Sequence, residues 1–230
     1  MILAQGKRLD SGEQGRVLDG LAAQLEKTLS GPPLRVETVI AACDALGKKV
    51  EAGEYAALID SLGLEDAQAQ AAAAAQLLHR ESLTARLEAE LGRDWETPAV
   101  LDPPFADRRL VKRRLPLGVL FHIAAGNVDG LPAYSVVEGL LTGNINLLKL
   151  PQADNGLSLT LLEELIRLAP GLRDFIYVFD TPSEDVAAME RMAALADGIV
   201  TWGGDAAVAA VRPLAKPGTR LIEWGHKLGF

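Results

Sequence analysis

The feature that most constrains the fold is a regular alternation of short apolar runs and longer amphipathic runs in the second half of the chain. From residue 116 onward, apolar runs of strand length are separated by runs with helical spacing. The strand-like runs are GVLFHIA, NINLLKL, DFIYVFD, GIVTWGG and TRLIEWG. Buried strands separated by helices are typical of a parallel sheet covered on both faces. The pattern therefore predicts an α/β fold with a Rossmann-like, five-stranded, mainly parallel sheet.

The first part of the chain predicts a helical region. Apolar residues recur at helical spacing from residue 11 to about residue 93, and the Ala- and Leu-rich residues 65–92 predict one long helix that ends at Gly92. Two prolines and the run RRLVKRR then predict an exposed crossing strand. We therefore predict a helical N-terminal region at residues 1–95, a crossing strand segment at 96–115 and an α/β domain at 116–230.

Composition argues against several classes of partner. The 230 residues carry a formal net charge of −8, which gives no general attraction to nucleic acid or to anionic lipid. No apolar stretch approaches the ~20 residues of a membrane span, and the N-terminus is too polar for a secretory signal. The single cysteine, Cys43, cannot form an internal disulfide and is interpreted as a buried structural thiol. We therefore expect a cytoplasmic protein with no nucleic-acid or membrane partner.

Candidate functional residues follow the predicted strands, because ligands of such sheets bind beyond the carboxyl ends of the strands. Lys149 closes an apolar strand, where an ammonium is costly unless it meets solvent or a polar ligand. Gly203 and Gly204 join a strand to a helix, where backbone N–H groups could hold a phosphate, although a plain tight turn explains them about as well. The dinucleotide fingerprint G-x-G-x-x-G is absent. His79 has no second ligand at metal spacing, so no metal site is predicted.

The chain from about residue 113 to residue 230 resembles the cofactor-binding half of the aldehyde dehydrogenase superfamily, and within it the LuxC-like acyl-CoA reductases. The resemblance rests on three stretches in order, PLGVLFHIAAGNVDGLPAYSVVEGLLTGNINLLKLP, DGIVTWGGDAAVAAV and TRLIEWGHKLGF. It implies that residues 116–230 form a dinucleotide-binding domain of the aldehyde dehydrogenase type. It also implies NADPH or NADH as the cofactor, and Lys149 in place of an acid mildly favours tolerance of a 2′-phosphate.

The resemblance assigns roles to particular residues. Asn127 falls on the asparagine whose amide helps bind the oxyanion formed when a thiolate attacks the acyl carbon. Glu223 falls on the glutamate that can act as a general base for water or the thiol. Lys149 falls on the lysine that binds the adenosine ribose or its 2′-phosphate, and Gly203 and Gly204 fall on the turn beside the pyrophosphate.

The chain also departs from the superfamily pattern. Small residues surround Asn127 where an aromatic residue and a proline are common, which favours the LuxC-like branch. His226 replaces a common Gly or Pro. The nucleophilic cysteine of the superfamily falls some tens of residues beyond the segment EWGHK, and Cys43 lies in the helical region. We therefore expect this chain to be a fragment that lacks the catalytic cysteine and is inactive alone.

These implications give one leading function and two alternatives. The leading one is NAD(P)H-dependent reduction of a fatty acyl thioester, such as an acyl-CoA, to an aldehyde by an enzyme that is a homo-oligomer at full length. One alternative is an aldehyde dehydrogenase in which Glu223 activates water for the oxidation. The other is a nucleotide-binding or assembly module without catalysis of its own.

Overall fold

The computed structural model describes residues 1–63, 65–101, 109–124, 130–152 and 154–225. The strands are β1 (Ile2–Ala4), β2 (Lys7–Leu9), β3 (Ala99–Leu101), β4 (Leu110–Lys112), β5 (Val119–Ile123), β6 (Ile145–Lys149), β7 (Ile176–Phe179), β8 (Gly198–Trp202) and β9 (Arg220–Trp224). The α-helices are α1 (Gln14–Leu29), α2 (Val36–Glu51), α3 (Ala56–Asp60), α4 (Ala67–Gln76), α5 (Arg80–Leu91), α6 (Leu131–Leu141), α7 (Leu157–Leu168), α8 (Val186–Ala194) and α9 (Asp205–Val211). Short 3-10 turns occupy Ser11–Glu13, Pro170–Asp174 and Arg212–Leu214.

The central sheet has the predicted parallel core. Its described strands run in the order β2-β1-β7-β6-β5-β8-β9, and the five strands from β7 to β9 are parallel. Chain order reverses between β5 and β8, as it does at the centre of a Rossmann-type sheet. The predicted adjacency of GVLFHIA and NINLLKL is confirmed, because β5 pairs with β6 over the whole length of both strands.

The N-terminus adds two strands that the five-strand prediction omitted. β1 and β2 form an antiparallel hairpin, and β1 also pairs antiparallel with β7 at the sheet edge. The two residues of the turn, Gln5 and Gly6, both have positive φ angles, as a tight two-residue hairpin turn requires. The sheet formed by the described residues therefore has seven strands, and the first nine residues are not helical.

Helices cover both faces of the sheet, which explains why the strands are apolar on both sides. Helices α2, α5, α6 and α7 pack on the face that carries Leu148 and Val178. Helices α1, α8 and α9 contribute to the core on the opposite face, with Phe121 and Leu147 from the strands. Successive strand residues thus enter different cores, as the two-residue period of a strand dictates.

The long helix predicted for residues 65–92 is wrong, because the chain forms two helices, α4 and α5. The break lies at residues 77–79, where His79 has an extended backbone and precedes α5. The Asp44 carboxylate on α2 accepts a hydrogen bond from the backbone N–H of Arg80 at 3.2 Å, and so caps the new helix. Gly92 follows α5 with a φ of 85°, as its predicted role at the helix end implies.

The crossing segment is a two-stranded antiparallel sheet of β3 and β4. The side chains of β4 are exposed, as the alternating charged and apolar residues predict. Nothing in the structure tests the domain boundaries at 95 and 115, which stay predictions. Within the described residues, no helix has the length and apolar character to cross a membrane.

Candidate functional site

Lys149 and Glu223 lie along one end of the parallel sheet, where four strands bring a continuous row of residues together. Ile123 pairs with Lys149 on one side and with Thr201 on the other, and Thr201 pairs with Glu223. Since neighbouring strands lie about 4.8 Å apart, Lys149 and Glu223 are about 14 Å apart across this row. The two side chains are therefore separated along the carboxyl edge rather than clustered, an arrangement suited to an extended ligand.

Lys149 is the last residue of β6, and its side chain is almost fully buried. Its Nζ donates a hydrogen bond to Ser183 Oγ at 2.9 Å, in the loop between β7 and α8. Burial lowers the pKa of Lys149, and the nearby Glu184 carboxylate opposes that shift. Among the residues described, Ser183 is the acceptor that Nζ meets, so the ammonium keeps N–H donors for a hydroxyl or phosphate oxygen.

The turn between β8 and α9 contains Gly203 and Gly204. A Cβ on Gly203 would lie 2.9 Å from the Cβ of Ala207, so this position is closed to larger residues by packing. The N–H of Gly203 donates to the Trp224 carbonyl at 3.1 Å, which leaves it engaged within the sheet. A Cβ on Gly204 would meet no atom within 4 Å. Packing therefore explains Gly203, whereas the open space at Gly204 leaves room for a ligand.

Glu223 lies in β9 and is held by an arginine. Arg212, just after α9, donates from Nε and Nη2 to the two carboxylate oxygens at 2.7 and 2.8 Å. This bidentate hydrogen bonding lowers the pKa of Glu223, and burial opposes the shift only in part. A carboxylate stabilised in its charged form is a weak proton acceptor, so the described geometry does not favour Glu223 as a general base.

Asn127, the predicted oxyanion donor, lies outside the described residues, as does His226. The roles predicted for the site residues therefore stay predictions. Among the described residues, no group of three or more His, Cys, Asp or Glu side chains could hold a metal ion. Cys43 is buried, and desolvation raises the pKa of its thiol to about 12, which is consistent with a structural thiol.

Sequence reasoning missed a buried polar chain beside this edge. Trp202 Nε1 donates to Ser135 Oγ at 3.0 Å, Ser135 Oγ lies 2.8 Å from His122 Nδ1, and His122 Nε2 lies 2.9 Å from Asn146 Oδ1. Asn146 Nδ2 donates to the Asn144 carbonyl at 2.8 Å. The available signal was a His and an Asn inside the apolar runs GVLFHIA and NINLLKL, since buried polar side chains need partners.

The chain of hydrogen bonds connects to the edge of the sheet through two tryptophans. The rings of Trp202 and Trp224 are stacked, with centroids 5.0 Å apart and an angle of 13° between their planes. Trp224 directly follows Glu223 in β9. The orientation of the Trp202 indole is therefore fixed on one side by Ser135 and on the other by Trp224, which stiffens the end of β8 and β9.

The fold matches that of aldehyde dehydrogenases. Betaine aldehyde dehydrogenase of Staphylococcus aureus, solved with NAD+, superposes with a TM-score of 0.70 at 18% identity, over 93% of this chain and 42% of that enzyme. NADP-dependent glyceraldehyde-3-phosphate dehydrogenase of Bacillus halodurans, solved with NADP, gives a TM-score of 0.67 at 18% identity, over 96% of this chain and 51% of that enzyme. The chain thus has the α/β fold of the aldehyde dehydrogenase class.

Sequence comparisons narrow this class to one family. The family model described as acyl-CoA reductase (LuxC) matches residues 32–230, so the chain belongs to that family. Long-chain acyl-protein thioester reductase 2 of Photobacterium leiognathi is 28% identical over 118 residues, which is 50% of this chain and 25% of that protein. Long-chain acyl-protein thioester reductase of Aliivibrio fischeri is 26% identical over 115 residues, 49% of this chain and 24% of that protein. The matched part of this chain thus spans about a quarter of these curated relatives.

Proposed function

We propose that this chain is the cofactor-binding part of an enzyme that reduces a fatty acyl thioester to an aldehyde with NADPH or NADH. The observation that carries the proposal is the match of the acyl-CoA reductase model to residues 32–230. The relatives named as long-chain acyl-protein thioester reductases support the substrate class. The proposal includes a cytoplasmic, homo-oligomeric enzyme at full length.

The chemistry of Lys149 fits a nicotinamide dinucleotide. Its buried ammonium at the end of β6 has donors to spare, which suits a ribose hydroxyl or a 2′-phosphate. The loop with Ser183 and Glu184 holds the ammonium in place at the carboxyl edge, and the open space at Gly204 leaves room for the pyrophosphate. When bound, the reduced cofactor would supply a hydride for the acyl carbon.

The reaction also needs an oxyanion donor, an acyl-accepting thiol and a base. Asn127 would donate its amide N–H to the oxyanion formed during thiolate attack. The acyl-accepting thiol would come from outside these 230 residues, because Cys43 is the single cysteine and is buried with a pKa of about 12. The bidentate contact of Arg212 with Glu223 lowers the basicity of that carboxylate, whether it would act on water or on the thiol.

An activity assay tests the proposal. The purified 230-residue chain, incubated with long-chain acyl-CoA and NADPH, should yield no aldehyde above background, since the acyl-accepting thiol is missing. A longer form that includes the superfamily cysteine should form aldehyde. In that form, Asn127→Ala should lower turnover by ~10²-fold or more, the usual scale for one oxyanion donor.

Two outcomes would contradict the proposal. Turnover by the 230-residue chain that survives Cys43→Ser would show a catalytic route without a thiol. A longer form that binds the cofactor, contains the cysteine and still forms no aldehyde from any acyl thioester would remove the proposed activity.

A further inference from the structure

An apolar cavity of about 520 Å³ lies among helices α2, α3, α4, α6 and α7, on the sheet face opposite α8 and α9. Its volume falls within the range of about 300–1,000 Å³ that is typical of small-molecule sites. The residues discussed above do not use this space.

Small side chains on one face of α4 create the cavity. Ala67, Ala71, Ala74 and Ala75 line it, and they recur at the three- and four-residue spacing of a single helix face. The facing wall on α7 consists of leucines, including Leu161. Ala67 and Leu157 pack in one small cluster with Ile59, and the short alanine side chains leave the rest of the space beside α7 open.

The lining selects an uncharged, apolar occupant. Gln70 and Tyr134 are the polar side chains that line the cavity, and the Tyr134 hydroxyl already accepts a hydrogen bond from Arg86. Among the residues described, no charged side chain lines the space. A phosphate, sugar or carboxylate placed here would lose its hydration without compensation, whereas a hydrocarbon chain would gain from leaving water.

One end of the cavity is formed by residues that follow Asn127 closely in the sequence. Gly130 and Leu131, at the start of α6, line the cavity. Asn127 precedes Gly130 by three residues, so the chain itself keeps the two Cα atoms within about 11 Å of each other. Leu77, which directly follows α4, also lines the cavity. Half of its surface is exposed, so the rim of the cavity reaches solvent there.

We propose that this cavity holds the hydrocarbon chain of the acyl thioester, with the thioester end directed toward the start of α6. The inference rests on the proposed function and assigns its substrate a binding site. The lining is apolar, the alanine face gives the room, and the start of α6 is tied to Asn127. An unbranched acyl chain is the occupant that meets all three conditions.

Calorimetric titration of the 230-residue chain with unbranched acyl-CoA thioesters of increasing length tests the inference, with CoA alone as the reference. Affinity should rise about fourfold for each added methylene, which corresponds to about 0.8 kcal/mol per buried CH₂, and should level off once the cavity is full. Ala71→Phe should remove this dependence because the ring occupies the cavity. Ala73→Phe, on the exposed face of the same helix, should retain it.

A second variant acts in the opposite direction. Leu161→Ala enlarges the cavity, so affinity should level off at a longer acyl chain than in the unchanged protein. A series without length dependence, or the same dependence in Ala71→Phe and Ala73→Phe, would overturn the inference. NADPH titrated into the same samples separates the two proposals: NADPH binding with a flat acyl series rejects the cavity alone, and acyl binding without NADPH binding rejects the cofactor role alone.

Discussion

His122 Nε2 donates a hydrogen bond to Asn146 Oδ1 at 2.9 Å in the interior of the sheet. The direction follows from Asn146, whose Nδ2 donates to the carbonyl oxygens of Asn144 and Phe175, so that its oxygen faces the imidazole. An amide oxygen can only accept, and His122 is therefore protonated on Nε2. Its Nδ1 is left to accept from the Ser135 hydroxyl. The buried chain thus has one consistent set of donors and acceptors.

Removal of the Asn146 amide should destabilise the protein. Asn146→Ala leaves His122 Nε2–H without its acceptor in a buried site, and such a loss costs about 1–3 kcal/mol of unfolding free energy. Urea denaturation measures the difference. Asn155→Ala, at an exposed position, should stay within about 0.5 kcal/mol of the unchanged protein. Equal stability of the two variants would contradict the account of the buried chain.

Gly139 should be intolerant of even a methyl group. A Cβ at this position of α6 would lie 1.8 Å from Asn146 Oδ1, so the helix or the amide would have to move. We expect Gly139→Ala to lower the unfolding free energy by about 1–3 kcal/mol, the usual cost of overpacking. Gly20→Ala, on open α1 surface with no atom within 4 Å, should instead raise it by about 0.4–1 kcal/mol. Thermal denaturation of both variants shows whether each substitution raises or lowers the stability.

The buried imidazole should make stability depend on pH. Burial lowers the pKa of His122 from 6.5 to about 4, and the hydrogen bond to Asn146 opposes this shift only in part. Because the unfolded chain holds the proton more tightly in this range, the unfolding free energy should fall as the pH drops from 6.5 to about 4. At about 1.4 kcal/mol per unit of pKa shift, the loss approaches about 3 kcal/mol.

His122→Gln isolates this contribution, because it removes the titrating imidazole and leaves the carboxylates and the other histidines in place. Its unfolding free energy should fall less steeply with decreasing pH over the same window, as measured by urea denaturation at several pH values. His79 acts in the opposite sense: hydrogen bonds to Glu51 and Asp44 raise its pKa, so its contribution is lost as the pH rises. Parallel pH profiles for the variant and the unchanged protein would contradict the assignment.

Much of the parallel sheet could be predicted from the sequence, because buried strands are continuous apolar runs that local composition reveals. The N-terminal hairpin could not, since β1 and β2 have three residues each and show no periodicity. The break between α4 and α5 was also hidden, because Ala and Leu favour helix through residue 77. It depends on a tertiary contact, the Asp44 cap on Arg80.

In the candidate site, too, some features could be predicted from the local sequence and others depend on tertiary contacts. Lys149 could be placed at a strand end from its position after an apolar run, and the structure has it there. The pairing of Glu223 with Arg212 depends on how α9 returns to β9, which no local pattern encodes. The His122–Asn146 pair likewise depends on strand register, although the two polar residues were visible in the sequence.

Arg212 should control the acidity of Glu223. Arg212→Gln removes the bidentate donor, and the pKa of the Glu223 carboxyl should rise toward its ordinary value of 4.5. NMR titration of the glutamate side chains follows this directly. Arg191→Gln, which breaks a separate ion pair with Asp19, should leave the Glu223 pKa unchanged. An unshifted Glu223 pKa in Arg212→Gln would show that another group holds the carboxylate.

Calorimetric titration of NADPH and NADH into the 230-residue chain tests most directly the proposed binding of the cofactor by Lys149. Lys149→Met keeps the aliphatic stem and removes the ammonium, while Lys48→Met removes an exposed ammonium of α2 as a matched control. We predict that Lys149→Met weakens NADPH binding about tenfold or more, the scale of a charge-assisted hydrogen bond, and that Lys48→Met does not. Equal affinity of the unchanged protein and Lys149→Met, or no binding of either cofactor to the folded chain, would contradict the claim.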